Sequence, residues 1–306
     1  MLDYTQFQQV FPADLSIPYD RTLLHDIDGH RKTLSGVLFI DRVLRALGIV
    51  KAKVYPPKTD NALKQLHQSI CDAAMSTHHK LSLFYYVLLD FDGVSGSPYV
   101  SQEFIAASGL AANYQLFMRG LWHMDHLQFS TALEYVSHPS LEPDFSDDII
   151  VALVKHAPND DYTLPLAYFT SVRPVLKSSA AIEHLFDAMA RTNVTEALLY
   201  ARTFPDHARE QLFQRLIVSV LKGGKDDEIT SHASELVFLP LDATEDAWFE
   251  DFLSRGKGRT LKRAQDMLLV RRIACDRFGE LTKYKANNEW AAVLEGIKSG
   301  VEGHLE

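Results

Sequence analysis

Three histidines and an aspartate able to ligate a metal or move a proton, His123, Asp125, His126 and His138, fall inside "GLWHMDHLQFSTALEYVSHPSL", residues 120–141. Zinc chemistry would require such groups to converge within about 2 Å of one ion. Their spacing favours a structural role. Asp125 with Gln128 three positions on reads as a capping box, in which the carboxylate accepts a free amide of the next helix and the amide side chain reaches back. His123 then lies in the last turn of the preceding helix, where a cation complements the dipole. His126 opens the next helix, and His138 stands before Pro139, which ends it. The predicted chemistry is helix capping, with no metal.

Other chemical patterns fail in the same way. "GVSGSP" at 93–98 lacks the final glycine of a nucleophile elbow, and "LKGGKDDE" at 221–228 lacks the Ser or Thr of a phosphate loop. Both read as turns. Asp147-Asp148 and Asp226-Asp227 suit helix starts better than metal pairs. His78-His79 and His25-Asp26 are adjacent residues, about 100° apart on a helix, so neither doublet chelates alone. No cofactor is implied. Cys71 and Cys275 are the only cysteines and read as reduced thiols.

The elements that would carry these residues are helical almost throughout. Leu63, Leu66, Ile70 and Ala73 form a three-four stripe, residues 80–91 are apolar nearly all round, and Phe129, Ala132, Leu133 and Val136 form one face of a further helix. Strand-like alternation is nearly absent, and prolines fall between the periodic stretches except for Pro165, which marks an early helix position or a kink. About a dozen or more short helices without a sheet predict an all-α fold, an irregular α-helical solenoid of stacked helix pairs without a strict repeat. With 306 residues and no Pro/Gly/Ser-rich divider, one continuous body is expected. The longest apolar run is too short for a membrane span, and no signal-peptide pattern opens the chain, which predicts an intracellular protein.

The formal charge of −9 argues against a surface that grips nucleic acid as a whole. Between Arg255 and Lys285, however, basic residues outnumber acidic ones by ten to three. Arg255, Lys257, Arg259, Lys262, Arg263, Arg271 and Arg272 are candidate partner-binding residues on this segment. "RGKGR" resembles the core of an AT-hook without its proline. Lys262 and Arg271 fall on opposite sides of a helix, so the charges encircle it; an acidic surface of a partner or of this chain is the expected counterpart, with nucleic acid the lesser option. A second candidate docking element is the N-terminal stretch 4–19, whose Phe7 and Phe11 precede any strong helix and would dock on this chain or on a neighbour.

The hairpin at 120–141, followed by "LPLAYFTSVRPVL" at 164–176 and "MARTNVTEALLYAR" at 189–202, resembles the helical ELYS domain of nuclear pore proteins over roughly residues 30–225. The chain is similar to the short fungal form of that family, which lacks the propeller and hook tail. The resemblance implies a non-enzymatic structural nucleoporin at the nuclear envelope, a scaffold binding the Y-shaped nucleoporin complex and supporting pore assembly and nucleocytoplasmic transport. It also implies an arm over 1–29, a helical domain over 30–254 and a basic segment over 255–306 that continues the solenoid. The matching residues are Leu121, Trp122, Asp125, Ala132, Leu133, Tyr135, Pro139, Ala167, Tyr168, Asn193 and Glu196. Trp122 would fill a hairpin seam that small Ala132 lets close, Asn193 with Glu196 would form a second capping box, and Ala167, Tyr168 and Phe169 would bury against the next helix pair. The alternative is a general helical adaptor or chromatin-associated factor that uses its basic end.

Overall fold

The computed structural model describes residues 2–12, 17–50, 54–92, 99–223, 226–277 and 288–302. The described residues hold α-helices, two short 3-10 turns and no strand, so the fold is all-α, built of irregularly stacked helix pairs. Contacts divide the chain into two compact units, one of residues 1–156 with 167–175, the other of 157–166 with 176–306. Neither division falls at residue 29 or 254.

The first unit holds α1 (Phe7–Val10), α2 (Arg21–Thr33), α3 (Phe39–Ala46), α4 (Asp60–Asp72), α5 (Thr77–Leu89), α6 (Val100–Ser108), α7 (Ala112–Asp125), α8 (Phe129–Val136) and α9 (Ser146–Lys155). Ser76 starts α5 by accepting the His79 amide, and no Gly or Pro interrupts the helix. All residues from Leu81 to Leu89 are buried, as their all-round apolar character demands. Helices α4, α6 and α7 pack against α5, and α7 in turn meets α2, α3 and α8. The unit is therefore organised around the buried α5 and the α7 that packs along it.

The second unit contains α11 (Ser179–Thr192), α12 (Val194–Ala201), α13 (Asp206–Lys222), α14 (Asp226–Phe238), α15 (Ala243–Ser254) and α16 (Ala264–Ala274). Here each helix packs on the next or the next but one, which is solenoid logic. Ser178 caps α11 and Asp242 caps α15 with a complete capping box through Glu245. The last helix, Asn288–Glu302, seats Leu294 on Leu269 with Trp290 alongside. Between α9 and α11, α10 (Thr163–Val172) carries Pro165 as its third residue, where the missing amide has no intrahelical partner to lose.

Candidate functional site

Asp125 is a cap, but of a different helix from the one its spacing suggests. It is the last residue of α7, and its carboxylate accepts the amides of Phe39 (2.6 Å) and Ile40 (2.9 Å), the first two residues of α3, and the Tyr86 hydroxyl (2.7 Å). The Asp125–Gln128 box does not form. Residue 127 is left-handed (φ 58°), and the amides of Leu127 and Gln128 return to the carbonyls of Met124 and His123. This helix-ending motif carries α7 through Asp125 and leaves Gln128 as the start of α8.

A second buried carboxylate lies at the end of α5. Asp90 accepts from the hydroxyls of Tyr19 (2.7 Å) and Tyr55 (2.8 Å) and from the Trp122 indole N–H (2.8 Å). The Tyr55 and Tyr86 rings meet edge to face at 5.5 Å, so the two carboxylates belong to one polar seam inside an apolar unit. Burial pushes Asp90 up to about 6, against the pull of its three donors, and Asp125 up to about 7. Burial and the charge of Asp90 hold Tyr19 and Tyr55 well above the usual phenol range, which keeps both as donors. A carboxylate near neutrality is the signature of a general base. Here Asp125 is 3% and Asp90 5% exposed, and every oxygen is already engaged, so the pair ties α3, α5, α7 and two loops together.

The other imidazoles of the stretch serve packing. His126 ends α7, its Nδ1 2.7 Å from the Trp122 carbonyl and its ring stacked on that indole at 3.8 Å. It does not open the next helix. Burial holds it down to about 4, a neutral ring. His123 stacks on Tyr135 and pairs with Gln128, while His138 pairs with Ser140 just before the exposed Pro139. Among the described residues no three His, Cys, Asp or Glu are placed to hold a metal ion.

The hairpin seam also differs from the expectation. Trp122 is only half-buried, with its indole N–H on Asp90 and its ring stacked on His126. Leu121 and Ala132 are fully buried, Leu133 and Tyr135 half-buried. The residue that sets the α7–α8 approach is Gly120, where an added Cβ would lie 2.6 Å from Val136 Cγ1. A lone glycine inside a helical pattern was the available signal. Tyr168 is buried, its hydroxyl 3.0 Å from Ser146 at the start of α9, so it meets the preceding helix; Ala167 and Phe169 are half-buried. Asn193 accepts the Glu196 amide at 2.9 Å. Its own amide is spent on the Met189 carbonyl at the end of α11, so only half of that box exists.

The N-terminal stretch docks on its own chain. Phe11 is buried against Phe84, Phe91 and His67, Phe7 packs on Phe11 and His67, and His67 Nε2 lies 2.9 Å from the Tyr4 carbonyl. Phe11 is thereby buried within its own chain and Phe7 half-buried; residues 13–16 lie outside the described residues.

Much of the basic segment is consumed internally as well. Arg271, 8% exposed, donates to Asp246 and to the carbonyls of Val237 (2.5 Å) and Leu239 (2.7 Å) at the end of α14. Arg272 pairs with Glu250, and Arg277 with Asp246 (2.9 Å) and Glu250 (3.5 Å). These arginines join α16 to α14 and α15. Arg263 reaches Thr230 and Arg255 pairs with Asp251. Lys257, Arg259 and Lys262 remain exposed. The glycines of "RGKGR" have a packing cause: a Cβ at Gly258 would lie 2.6 Å from the Phe252 ring and one at Gly256 2.9 Å from its backbone. Lys283 and Lys285, like "GVSGSP" and the centre of "LKGGKDDE", lie outside the described residues.

A further knot went unread in the sequence. Glu245, fully buried, accepts Arg202 at 2.9 and 2.7 Å and also Arg209, which reaches Asp242 too. Burial pushes Glu245 up, but the two guanidinium groups outweigh it and hold the carboxyl below its usual range. Asp242-Ala-Thr-Glu245 is a legible capping box.

No described helix is long and apolar enough to cross a membrane. A family model described as ELYS, nuclear pore complex assembly, matches residues 37–256. A Schizosaccharomyces pombe protein described as uncharacterized protein ely5 is 24% identical over 237 residues, covering 76% of this chain and 74% of that protein.

Proposed function

From the chain's membership of the ELYS family of nuclear pore complex assembly, we propose that it is a non-enzymatic scaffold that binds the Y-shaped nucleoporin complex at the nuclear envelope through exposed faces of its helices. The observation that carries this reading is the family match over 37–256, which takes in helices of both units. The chemistry of the interior supports it. The most perturbed carboxylates, Asp90 and Asp125, have their oxygens occupied by donors of the fold, which leaves none to meet a substrate.

A chromatin factor working through the basic end draws less support, because Arg271, Arg272 and Arg277 are spent on Asp246 and Glu250. The deciding experiment is a tagged pull-down from native cells at physiological salt with nuclease present, read by mass spectrometry. Stoichiometric recovery of Y-complex nucleoporins is the expected result. Recovery of chromatin proteins that nuclease removes, with no nucleoporins, overturns it.

A further inference from the structure

The second unit has a groove of about 600 Å³ whose floor is one face of α13, with α11 on one side and the 3-10 turn Lys257–Thr260 on another. Arg191, Arg215, Lys222 and Lys257 line it, against Asp187 as the single acid. The arginines are largely committed. Arg215 is held by Asp187 at 2.6 and 2.8 Å and by Glu183 at 2.7 Å, and Arg191 donates to Asp160 at 3.1 Å and to the Tyr162 hydroxyl at 2.8 Å. Lys222 and Lys257 are exposed, and no described acid pairs with either. They carry the surplus positive charge of the groove, in a chain of formal charge −9.

Helix electrostatics account for one lysine only. Lys222 ends α13, where a cation complements the dipole. Lys257 comes from a separate element, and the turn that presents it depends on Gly256 and Gly258 lying tight against Phe252. Val218 and Leu261 add apolar wall between these elements.

We propose that this groove takes an extended acidic segment of a partner protein, with carboxylates on Lys222 and Lys257 and an apolar side chain against Val218 and Leu261. The scaffold reading supplies only the identity of that partner, a nucleoporin. Nucleic acid fits less well, because Arg215 is saturated by carboxylates, Arg191 is turned to Asp160 and the Tyr162 hydroxyl through one nitrogen, and the buried Phe252 offers no open ring for base stacking.

The test titrates the full chain with a fluorescein-labelled peptide repeating Glu-Glu-Leu, beside the same peptide repeating Gln-Gln-Leu and an oligo(dT) strand. The expected result is salt-sensitive binding of the Glu peptide alone. It weakens about tenfold or more in the Lys222→Glu/Lys257→Glu variant and survives in Lys222→Arg/Lys257→Arg, with the helical circular dichroism of both variants unchanged and only the small drop in melting temperature that a reversed charge at the α13 C-terminus brings. Equal binding by the reversal variant, equal binding of the Gln peptide, or binding of oligo(dT) in place of the Glu peptide overturns the groove. The pull-down separates the two readings. Full recovery of Y-complex nucleoporins by the reversal variant overturns the groove as their contact and leaves the scaffold reading standing. Failure of the wild type to recover them sinks the scaffold reading, while the peptide titration still decides the groove.

Discussion

The two units bury carboxylates by opposite means. In the first, Asp90 and Asp125 face hydroxyls, an indole and backbone amides with no cation bonded to them, and both are pushed up toward neutrality. In the second, Glu245 lies between Arg202 and Arg209, and Asp246 and Glu250 are held by Arg271, Arg272 and Arg277. Neutral donors repay only part of the desolvation of a charge, whereas a guanidinium repays it with opposite charge in a bidentate fork. The difference teaches that a shifted carboxyl in this chain reports how it was buried, and that the first unit stakes more on placing each donor.

The largest effect should come from Asp125→Ala. It strands two amides of α3 and the Tyr86 hydroxyl, at a cost of about 3 to 5 kcal/mol. Urea unfolding followed by Trp122 fluorescence, in a Trp248→Phe/Trp290→Phe background, checks it; a loss below about 1 kcal/mol would show that the seam is not a keystone. Glu245→Gln in the second unit should cost less, about 2 to 3 kcal/mol, because its arginines retain some contact with water and Arg209 keeps Asp242. A larger loss than that of Asp125→Ala would reverse the comparison.

Trp122→Phe removes one of three donors to Asp90 and should cost about 1 to 2 kcal/mol. It should also move Asp90 further up from about 6, read from the carboxyl carbon shift by NMR. An unmoved titration would mean that the indole is a bystander.

The smallest effect is in pH dependence. Asp90 and Asp125 bind protons more tightly folded than unfolded, so their contribution to stability grows as pH falls from about 7 toward 4. His126, held down to about 4, works against them below its unfolded value of 6.5. His67, His123 and His156, also held down by burial, oppose them in the same way, so the first unit's stability should change by no more than about 1 kcal/mol between pH 7.5 and 5. Glu245, held low, contributes stability above its unfolded value of 4.5 that is lost as pH falls through its folded value. Melting followed through each unit's tryptophans separates the two; parallel profiles would erase the contrast.

Much of this was legible in the chain. The all-round apolar character of 80–91 marked the buried α5, the three-four stripes marked the helices, and Asn193 sits where its amide capacity is needed. Gly120 and the Asp242-x-x-Glu245 pattern were equally open to reading. The Asp125–Gln128 pattern misled because it satisfies a local rule, while the left-handed turn at Leu127 extends α7 one residue too far for that rule to act. The basic segment was legible in part: an acidic surface of this chain was one of the expected counterparts, but composition does not say that α15 supplies it.

Caps, apolar period and proline act within a few residues, so most helices could be read from the chain, the α7–α8 junction excepted. Only the tertiary structure decided which donor meets which carboxylate. Asp125 finds its amides 85 and 86 positions away, Asp90 its tyrosines 71 and 35 away, and Glu245 its arginines 43 and 36 away. No local rule reaches across such separations, because those pairings exist only once the helices have packed.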